Sequence, residues 1–110
     1  MEEKEAIVEL RRGGRLIATM TNIRLWDWPW YRCDFKAEPE FAAYRQLFDE
    51  EVRLLEETGA DAKWDAAYEK IENLDMMLIY PQKHKSTKIF LLHVEGSQAR
   101  FKAVFEPESL

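Results

Sequence analysis

The sequence predicts one α+β domain over residues 1–110, with an antiparallel sheet and two helices packed on one face. Three observations support this prediction. The chain is long enough for one core and too short for two, and 46% of its residues are hydrophobic. Strand-like segments occupy both ends of the chain, and helical periodicity is confined to the middle. The element order is therefore βββ-αα-βββ, and a β-sandwich with the helices at one end is the alternative.

The first three strands are predicted over residues 6–12, 15–25 and 31–36. Gly13 and Gly14 separate the first two, and a two-residue hairpin turn favours glycine because both of its positions can require a positive φ. The third segment alternates apolar and charged residues, which is the period of a half-buried strand. The first two of these strands are therefore predicted to form a tight hairpin.

Two helices are predicted over residues 39–58 and 62–73. Pro39 suits a first helical position, Gly59 suits a helix C-terminus, and Asp61 can cap the second helix. The first helix has an apolar stripe at three- and four-residue spacing: Phe41, Tyr44, Phe48, Val52 and Leu55. The short link between the helices makes them antiparallel neighbours.

The last three strands are predicted over residues 75–81, 88–95 and 98–106. The segment 88–95 is apolar on both faces apart from His93, so we expect it in the middle of the sheet. Residues 81–87 are expected to form a polar connection.

Charge is segregated along the chain, whose net charge is −5 and whose pI is about 5.1. Residues 38–75 hold twelve acidic and four basic residues, whereas the strand segments 11–36 and 82–102 each carry a net charge of +4. This balance gives no reason to expect nucleic acid as a partner. An acidic helix face, with Glu50, Glu51, Glu56 and Glu57 opposite the apolar stripe, is interpreted as a solvated surface.

The single cysteine, Cys33, excludes an intrachain disulfide and favours a reducing cytoplasm. The acidic N-terminus lacks the features of a signal peptide. The longest apolar run, residues 76–80, is too short to cross a membrane, so no membrane association is expected.

The most distinctive segment contains three tryptophans around a proline, in the order Trp26-Asp27-Trp28-Pro29-Trp30. The parity of the apolar residues changes near Pro29, which predicts a bend or loop there because proline cannot donate a ladder hydrogen bond. The indoles either cover the end of the core, or anchor a protein partner, or form a stacking platform for bases. The first interpretation is favoured because tryptophan is usually mostly buried.

Few residues suggest chemistry. His93 is expected to be a hydrogen-bonded core residue, and Cys33 a small buried hydrophobe. The alternative is that Cys33 is a nucleophile with His93 as its base. Phosphate-loop, dinucleotide-binding and hydrolase motifs are absent from the sequence, and the two histidines lack the spacing of a metal site. We therefore expect no catalytic residues, no cofactor and no metal.

The run Asp27-Trp28-Pro29-Trp30-x-x-Cys33-x-Phe35 is similar to a DxPWxxCxF signature. Together with the apolar pattern that follows it, this run resembles a group of small bacterial, actinomycete-type proteins without an assigned function. The resemblance extends over most of the chain and implies no activity, ligand or catalytic residue.

The expected function is that of a small cytoplasmic, non-enzymatic domain that binds a protein partner or forms a homodimer. An inhibitor or immunity-like protein, with the acidic helices covering a basic active site, is one version. The alternative is a small-ligand binder or enzyme with a cleft near Cys33, His93 and the tryptophans. The candidate binding residues are Trp26, Asp27, Trp28, Trp30 and His93.

Overall fold

The computed structural model describes residues 7–89 and 91–102. Within them, seven strands form one antiparallel sheet in the order β5-β4-β1-β2-β3-β7-β6, and two helices cover one face. The strands are β1 (Val8–Arg12), β2 (Arg15–Asp27), β3 (Trp30–Ala37), β4 (Met77–Tyr80), β5 (Lys85–Lys88), β6 (His93–Glu95) and β7 (Gln98–Lys102), and the helices are α1 (Arg45–Thr58) and α2 (Ala62–Glu72). The predicted α+β fold with an antiparallel sheet is confirmed, and the sheet is not divided into a sandwich.

The first hairpin forms as the sequence predicts. Gly13 and Gly14 both have a positive φ, of 57° and 83°, and β1 and β2 pair directly on either side of them. β3 has the predicted alternation, because Tyr31, Cys33 and Phe35 are buried while the residues between them are exposed or half-buried. Alternation thus gives β3 one face in the core and one face towards solvent.

The first helical segment differs from the prediction at its start. Pro39–Ala43 is a 3-10 helix, and α1 begins only at Arg45. The tighter turn carries Phe41 into the core, where its ring lies 5.0 Å from that of Phe35 and 5.5 Å from that of Phe48. The three rings therefore pack together at the point where the 3-10 helix precedes α1.

The helix boundaries at the central link are confirmed. Gly59 has a φ of 75° and donates its backbone N–H to the Leu55 carbonyl, which ends α1. Asp61 Oδ1 accepts the Trp64 backbone N–H at 3.0 Å, which caps α2. The two helices are connected by three residues and contact each other along their length.

The predicted central strand 88–95 is wrong. Lys88 is the last residue of β5 and His93–Glu95 is β6, and these two short strands lie at opposite edges of the sheet. Between these strands Leu91 has a φ of 52°, in the left-handed region, so the extended backbone is interrupted. The segment predicted as a polar connection contains a 3-10 turn, Pro81–Lys83, and most of β5. Of the predicted strand 98–106, residues 103–106 lie outside the described residues.

The core lies between the inner sheet face and the helices. It is formed mainly by aliphatic and aromatic side chains from every layer, among them Leu10, Met20, Phe35, Phe48, Ile71, Leu78 and Phe101. Apart from the buried tyrosines and Cys33, Glu51 and His93 are the only side chains with an ionisable group that are buried among the described residues. These two residues meet where α1 packs against the edge strand β6.

Candidate functional site

The β2–β3 hairpin ends in an exposed aromatic tip, which we define as Leu25, Trp26 and Trp28. β1 pairs with β2 only as far as Met20, so among the described strands the last part of β2 pairs with β3 alone. The turn at Trp28 and Pro29, joined by a cis peptide bond, closes the hairpin. The aromatic tip therefore stands at the end of the β2–β3 hairpin, and β7 pairs with the other side of β3 as far as Trp30.

The side chains of the aromatic tip are unusually accessible for their size. Leu25 and Trp28 are each 58% exposed, and Trp26 is 51% exposed. The Arg32 guanidinium lies over the Trp26 ring, 4.3 Å from its centroid, which is a cation–π contact. Asp27, the remaining predicted site residue of the turn, is also exposed. The prediction that these indoles cover the core is therefore wrong for Trp26 and Trp28.

Trp30 lies in a different environment from the other two indoles. It is half-buried and stacks on the imidazole of His93, with ring centroids 5.5 Å apart and an interplanar angle of 26°. The structure thus brings together two of the predicted site residues, Trp30 and His93. It separates Trp26 and Trp28 from them, and leaves those two indoles in solvent.

His93 is held from a second direction by α1. Its Nδ1 lies 2.6 Å from Oε1 of Glu51, and the two side chains are 3% and 0% exposed. The other carboxylate oxygen of Glu51 accepts the indole N–H of Trp64 at 2.6 Å. The expectation of a buried, hydrogen-bonded His93 is confirmed, although its strand lies at the edge of the sheet.

Glu51 was assigned by the sequence to a solvated acidic face, and that assignment is wrong. The residue lies three positions after Phe48 and one before Val52, both of which are buried. Residues three apart share a helix face, so this spacing already contained the signal that Glu51 borders the apolar stripe. It remains buried because both of its oxygens are hydrogen-bonded, Oε1 with His93 Nδ1 and Oε2 with the indole N–H of Trp64.

Tyr68 completes the enclosure of His93 from α2. Its ring centroid lies 6.3 Å from that of His93, and it also stacks on Trp64. The phenol oxygen accepts the Leu92 backbone N–H at 2.9 Å, next to His93 in the chain. Burial raises the pKa of the Tyr68 hydroxyl well above its usual range. This tyrosine therefore attaches α2 to the start of β6.

Cys33 has the properties of a structural thiol. It is fully buried and donates weakly to the Ala99 carbonyl, with Sγ 3.7 Å from the oxygen. Burial raises the pKa of the thiol to about 12, so the nucleophilic thiolate is scarce near neutral pH. Cys33 of β3 pairs with Ala99 of β7, and Ala99 pairs in turn with Val94 of β6. His93 of β6 pairs instead with Arg100 of β7. Their hydrogen-bond partners also differ, because the Cys33 thiol contacts the Ala99 carbonyl and His93 Nδ1 contacts the carboxyl group of Glu51.

The cavity beside His93 is small. It has a volume of about 20 Å³ and is lined by Arg32, His93, Glu95, Gln98, Ala99 and Arg100. This volume has room for about one water molecule, whereas ligand pockets are usually about 300–1,000 Å³. Cys33 does not line this cavity. The expected cleft enclosing both Cys33 and His93 is therefore not present among the described residues.

Two larger surface grooves lie away from His93. One, of about 470 Å³, runs between α1 and α2 over Leu54, Ala66 and Ala67. The other, of about 380 Å³, lies beside the end of α2 and contains Glu69 and Glu72. Neither groove brings together a histidine and a cysteine, and both are open to solvent. They offer no nucleophile or general base held in a defined geometry.

Searches of the described residues find no group of three His, Cys, Asp or Glu side chains that could hold a metal ion. No helix in that part of the chain is long and apolar enough to cross a membrane. Comparison with known proteins finds no matching family model, no similar curated protein and no similar solved structure. The resemblance to actinomycete-type proteins therefore stays a prediction.

Proposed function

We propose that this chain is a non-enzymatic, cytoplasmic protein-binding domain that contacts its partner through the aromatic tip. The observation that carries the proposal is the exposure of Leu25, Trp26 and Trp28, each more than half accessible, at the end of one hairpin. Ile7, at 36%, is the only other large hydrophobic residue that is exposed in the described part of the chain. Within residues 7–89 and 91–102, large exposed apolar side chains are thus concentrated at this hairpin.

The energetics of association support this role. A tryptophan buries about 150–250 Å² when it is enclosed, and indoles are enriched among the residues that contribute most to protein interfaces. Two adjacent indoles and a leucine supply the apolar centre of a contact area. The surrounding charged residues, such as Asp27 and Arg24, are suited to a polar rim.

The enzyme alternative has less support. Catalysis by Cys33 requires an accessible thiolate, and this thiol is buried with a raised pKa. The His93 imidazole is oriented by Glu51, as a general base often is, but the cavity beside it is about 20 Å³. A substrate has no room there. The ordered polar cluster is more consistent with a structural role at the helix–sheet junction.

The test compares wild-type protein with the double variant Trp26→Ser/Trp28→Ser. Affinity capture from an extract of the source cells identifies proteins retained by wild-type protein and lost by the variant. Binding is then reconstituted with the purified partner and measured by calorimetry. Sedimentation of the isolated protein over a concentration series measures self-association in parallel. We expect one of these two interactions, and we expect the double variant to abolish it.

The matched control is Ser86→Ala, an exposed substitution on β5, which is separated from β2 in the sheet by β4 and β1. It is expected to bind as wild-type protein does. The proposal is overturned if the protein remains a monomer at high concentration and every reconstituted partner binds the double variant equally well.

The inhibitor-like version uses a different surface, the acidic helices. Within residues 38–75 the carboxylates of Glu56, Asp65 and Glu69 are all exposed, which favours attraction to a basic partner. The same reconstituted complex distinguishes this version. Loss of binding in Asp65→Lys/Glu69→Lys, with full binding by the tip variant, would assign the contact to the helices.

A further inference from the structure

We propose that Arg32, stacked on Trp26, is the centre of a site for an acidic segment of the protein partner. This inference rests on the proposed function, because it specifies the chemistry that the aromatic tip recognises. The site consists of a row of three arginines, Arg24, Arg32 and Arg100, beside the exposed indole of Trp26. Its occupant is a stretch of partner polypeptide with aspartate or glutamate side chains.

The row follows from the strand register. Arg24 of β2 pairs with Arg32 of β3, and Arg32 pairs in turn with Arg100 of β7. Directly opposed residues lie on the same face of a sheet, and strands are about 4.8 Å apart, so three guanidinium groups cross about 10 Å of surface. Like charges in opposed positions are destabilising. An anion bound along the row removes that repulsion.

The three arginines have different existing partners. Arg100 donates to the carboxylate of Glu95 at 2.7 Å, so its charge is neutralised. Arg24 donates to the Asn22 carbonyl at 2.8 Å, which is a neutral acceptor. Arg32 lies on the Trp26 ring, and no ion pair joins it to a carboxylate within the described residues.

Stacking on an indole prepares Arg32 for a carboxylate. The Cζ atom of Arg32 lies 4.3 Å from the centroid of the Trp26 ring. A guanidinium that lies over an aromatic ring can still donate the N–H groups on its edge, because the ring does not use them. A guanidinium edge matches a carboxylate with two parallel hydrogen bonds, and such charge-assisted pairs are stronger than neutral ones. The small cavity beside Arg32 and Arg100 admits a group about the size of one carboxylate oxygen.

A protein acid fits this site better than other anions. A row about 10 Å long exceeds a single carboxylate, so a segment with several acidic side chains is favoured over one chain terminus. The indole of Trp26, which is 51% exposed and lies against Arg32, adds aromatic surface beside the row. The net charge of −5, concentrated on the helices, opposes the approach of a long polyanion such as nucleic acid.

The test uses two synthetic peptides and the full-length, ¹⁵N-labelled protein. One capped peptide alternates glutamate with leucine over six residues, and the other replaces each glutamate with glutamine. Titration is followed by NMR through the tryptophan indole and arginine Nε–H signals. We expect the acidic peptide to shift the signals of Trp26 and Arg32, and the glutamine peptide to leave them in place.

Variants locate the site. Arg32→Gln is expected to weaken binding of the acidic peptide by about tenfold, because it removes a charge-assisted pair. Arg32→Lys keeps the positive charge but loses the paired N–H groups of the guanidinium, and is expected to retain only part of the affinity. The matched control is Lys36→Gln, an exposed cation on the same strand outside the row, which is expected to bind as wild-type protein does.

Several outcomes overturn the inference. These are equal binding of the two peptides, shifts confined to α1 and α2, unchanged affinity in Arg32→Gln, or tighter binding of a ten-nucleotide oligo-dT than of the acidic peptide. Shifts that depend on protein concentration alone would assign the surface to a second copy of the chain. A protein partner that requires Trp28 but not Arg32 overturns this inference and leaves the proposed function intact.

Discussion

Glu51 and His93 are 42 residues apart in the sequence, yet Oε1 of Glu51 lies 2.6 Å from Nδ1 of His93 inside the core. Because Trp64 donates to the second carboxylate oxygen, this pair connects α1, α2 and the edge strand β6. No buried side-chain nitrogen or oxygen in the described residues lacks a hydrogen-bond partner. The polar cluster is therefore complete, and removing Glu51 leaves both His93 and Trp64 without this hydrogen-bond partner.

Replacing Glu51 with leucine is expected to lower the free energy of unfolding by about 3–5 kcal/mol, because His93 and Trp64 both lose their acceptor in a buried position. The measurement is urea unfolding followed by circular dichroism. Glu56→Leu, an exposed substitution on the same helix, is the control and is expected to change stability little. A loss below about 1 kcal/mol in Glu51→Leu would contradict a structural role for the cluster.

The three tryptophans around Pro29 are expected to differ in their contribution to stability. Trp26→Ser and Trp28→Ser change the free energy of unfolding by no more than about 0.5 kcal/mol, because both side chains are exposed. Trp30→Ser costs about 2–4 kcal/mol, since it removes the ring stacked on His93. Urea unfolding of the three variants measures this. Equal losses in all three would show that the aromatic tip also packs on the core.

The Cys33 thiol is expected to react slowly with a disulfide reagent in the native protein at pH 8, because it is fully buried. The control is Cys33→Ala/Ser97→Cys, which places the single thiol at an exposed position and is expected to react as a free thiol does. Native-state labelling of Cys33 at the rate of that control would contradict its burial.

Cys33 also predicts a dependence of stability on alkaline pH. Burial raises its pKa from 9.0 in the unfolded chain to about 12 in the folded protein, so the native state retains a proton that the unfolded state loses. Its contribution is whole below about pH 9 and is lost as pH rises towards 12, by about 1.4 kcal/mol per pH unit. Urea unfolding between pH 8 and 11 measures this fall. Cys33→Ala is expected to make this fall less steep, with Tyr68 still contributing above about pH 10, and an identical slope in both proteins would contradict the raised pKa of Cys33.

Two contributions of Asp61 to the cap of α2 can be measured separately: its hydrogen bond to the helix backbone and its negative charge. The Trp64 backbone N–H, together with Thr58, holds the pKa of Asp61 below its usual value. Asp61→Ala is expected to lower Tm, and Asp61→Asn to retain it at neutral pH because asparagine caps equally well. With a lowered folded pKa, the stabilisation by Asp61 is present above the unfolded pKa and is lost as pH falls through the folded one. Calorimetry at pH 7 and pH 3 therefore shows a smaller pH effect in Asp61→Asn.

The sequence by itself determined the features that depend on neighbouring residues. The positive φ required at Gly13 and Gly14, the cap at Asp61 and the alternation along β3 are all local, because a few adjacent residues suffice to make each conformation favourable. The fold class followed from these elements and their order. The sequence placed the tryptophans in a bend but could not assign their environments. The alternation of side chains near Pro29 does not show which other elements pack against each face of the hairpin.

Tertiary structure alone decided which distant residues meet. Segment 88–95 is apolar enough for a central strand, yet its two ends pair with β4 and β7 at opposite edges of the sheet, and hydrophobicity does not encode strand order. Glu51 has the sequence context of a surface glutamate. Its burial is stable only because hydrogen bonds with His93 and Trp64 offset the free energy lost when its carboxyl group leaves water. A buried carboxyl group is stable when hydrogen-bond partners from other elements reach it, and those partners are specified by the whole fold.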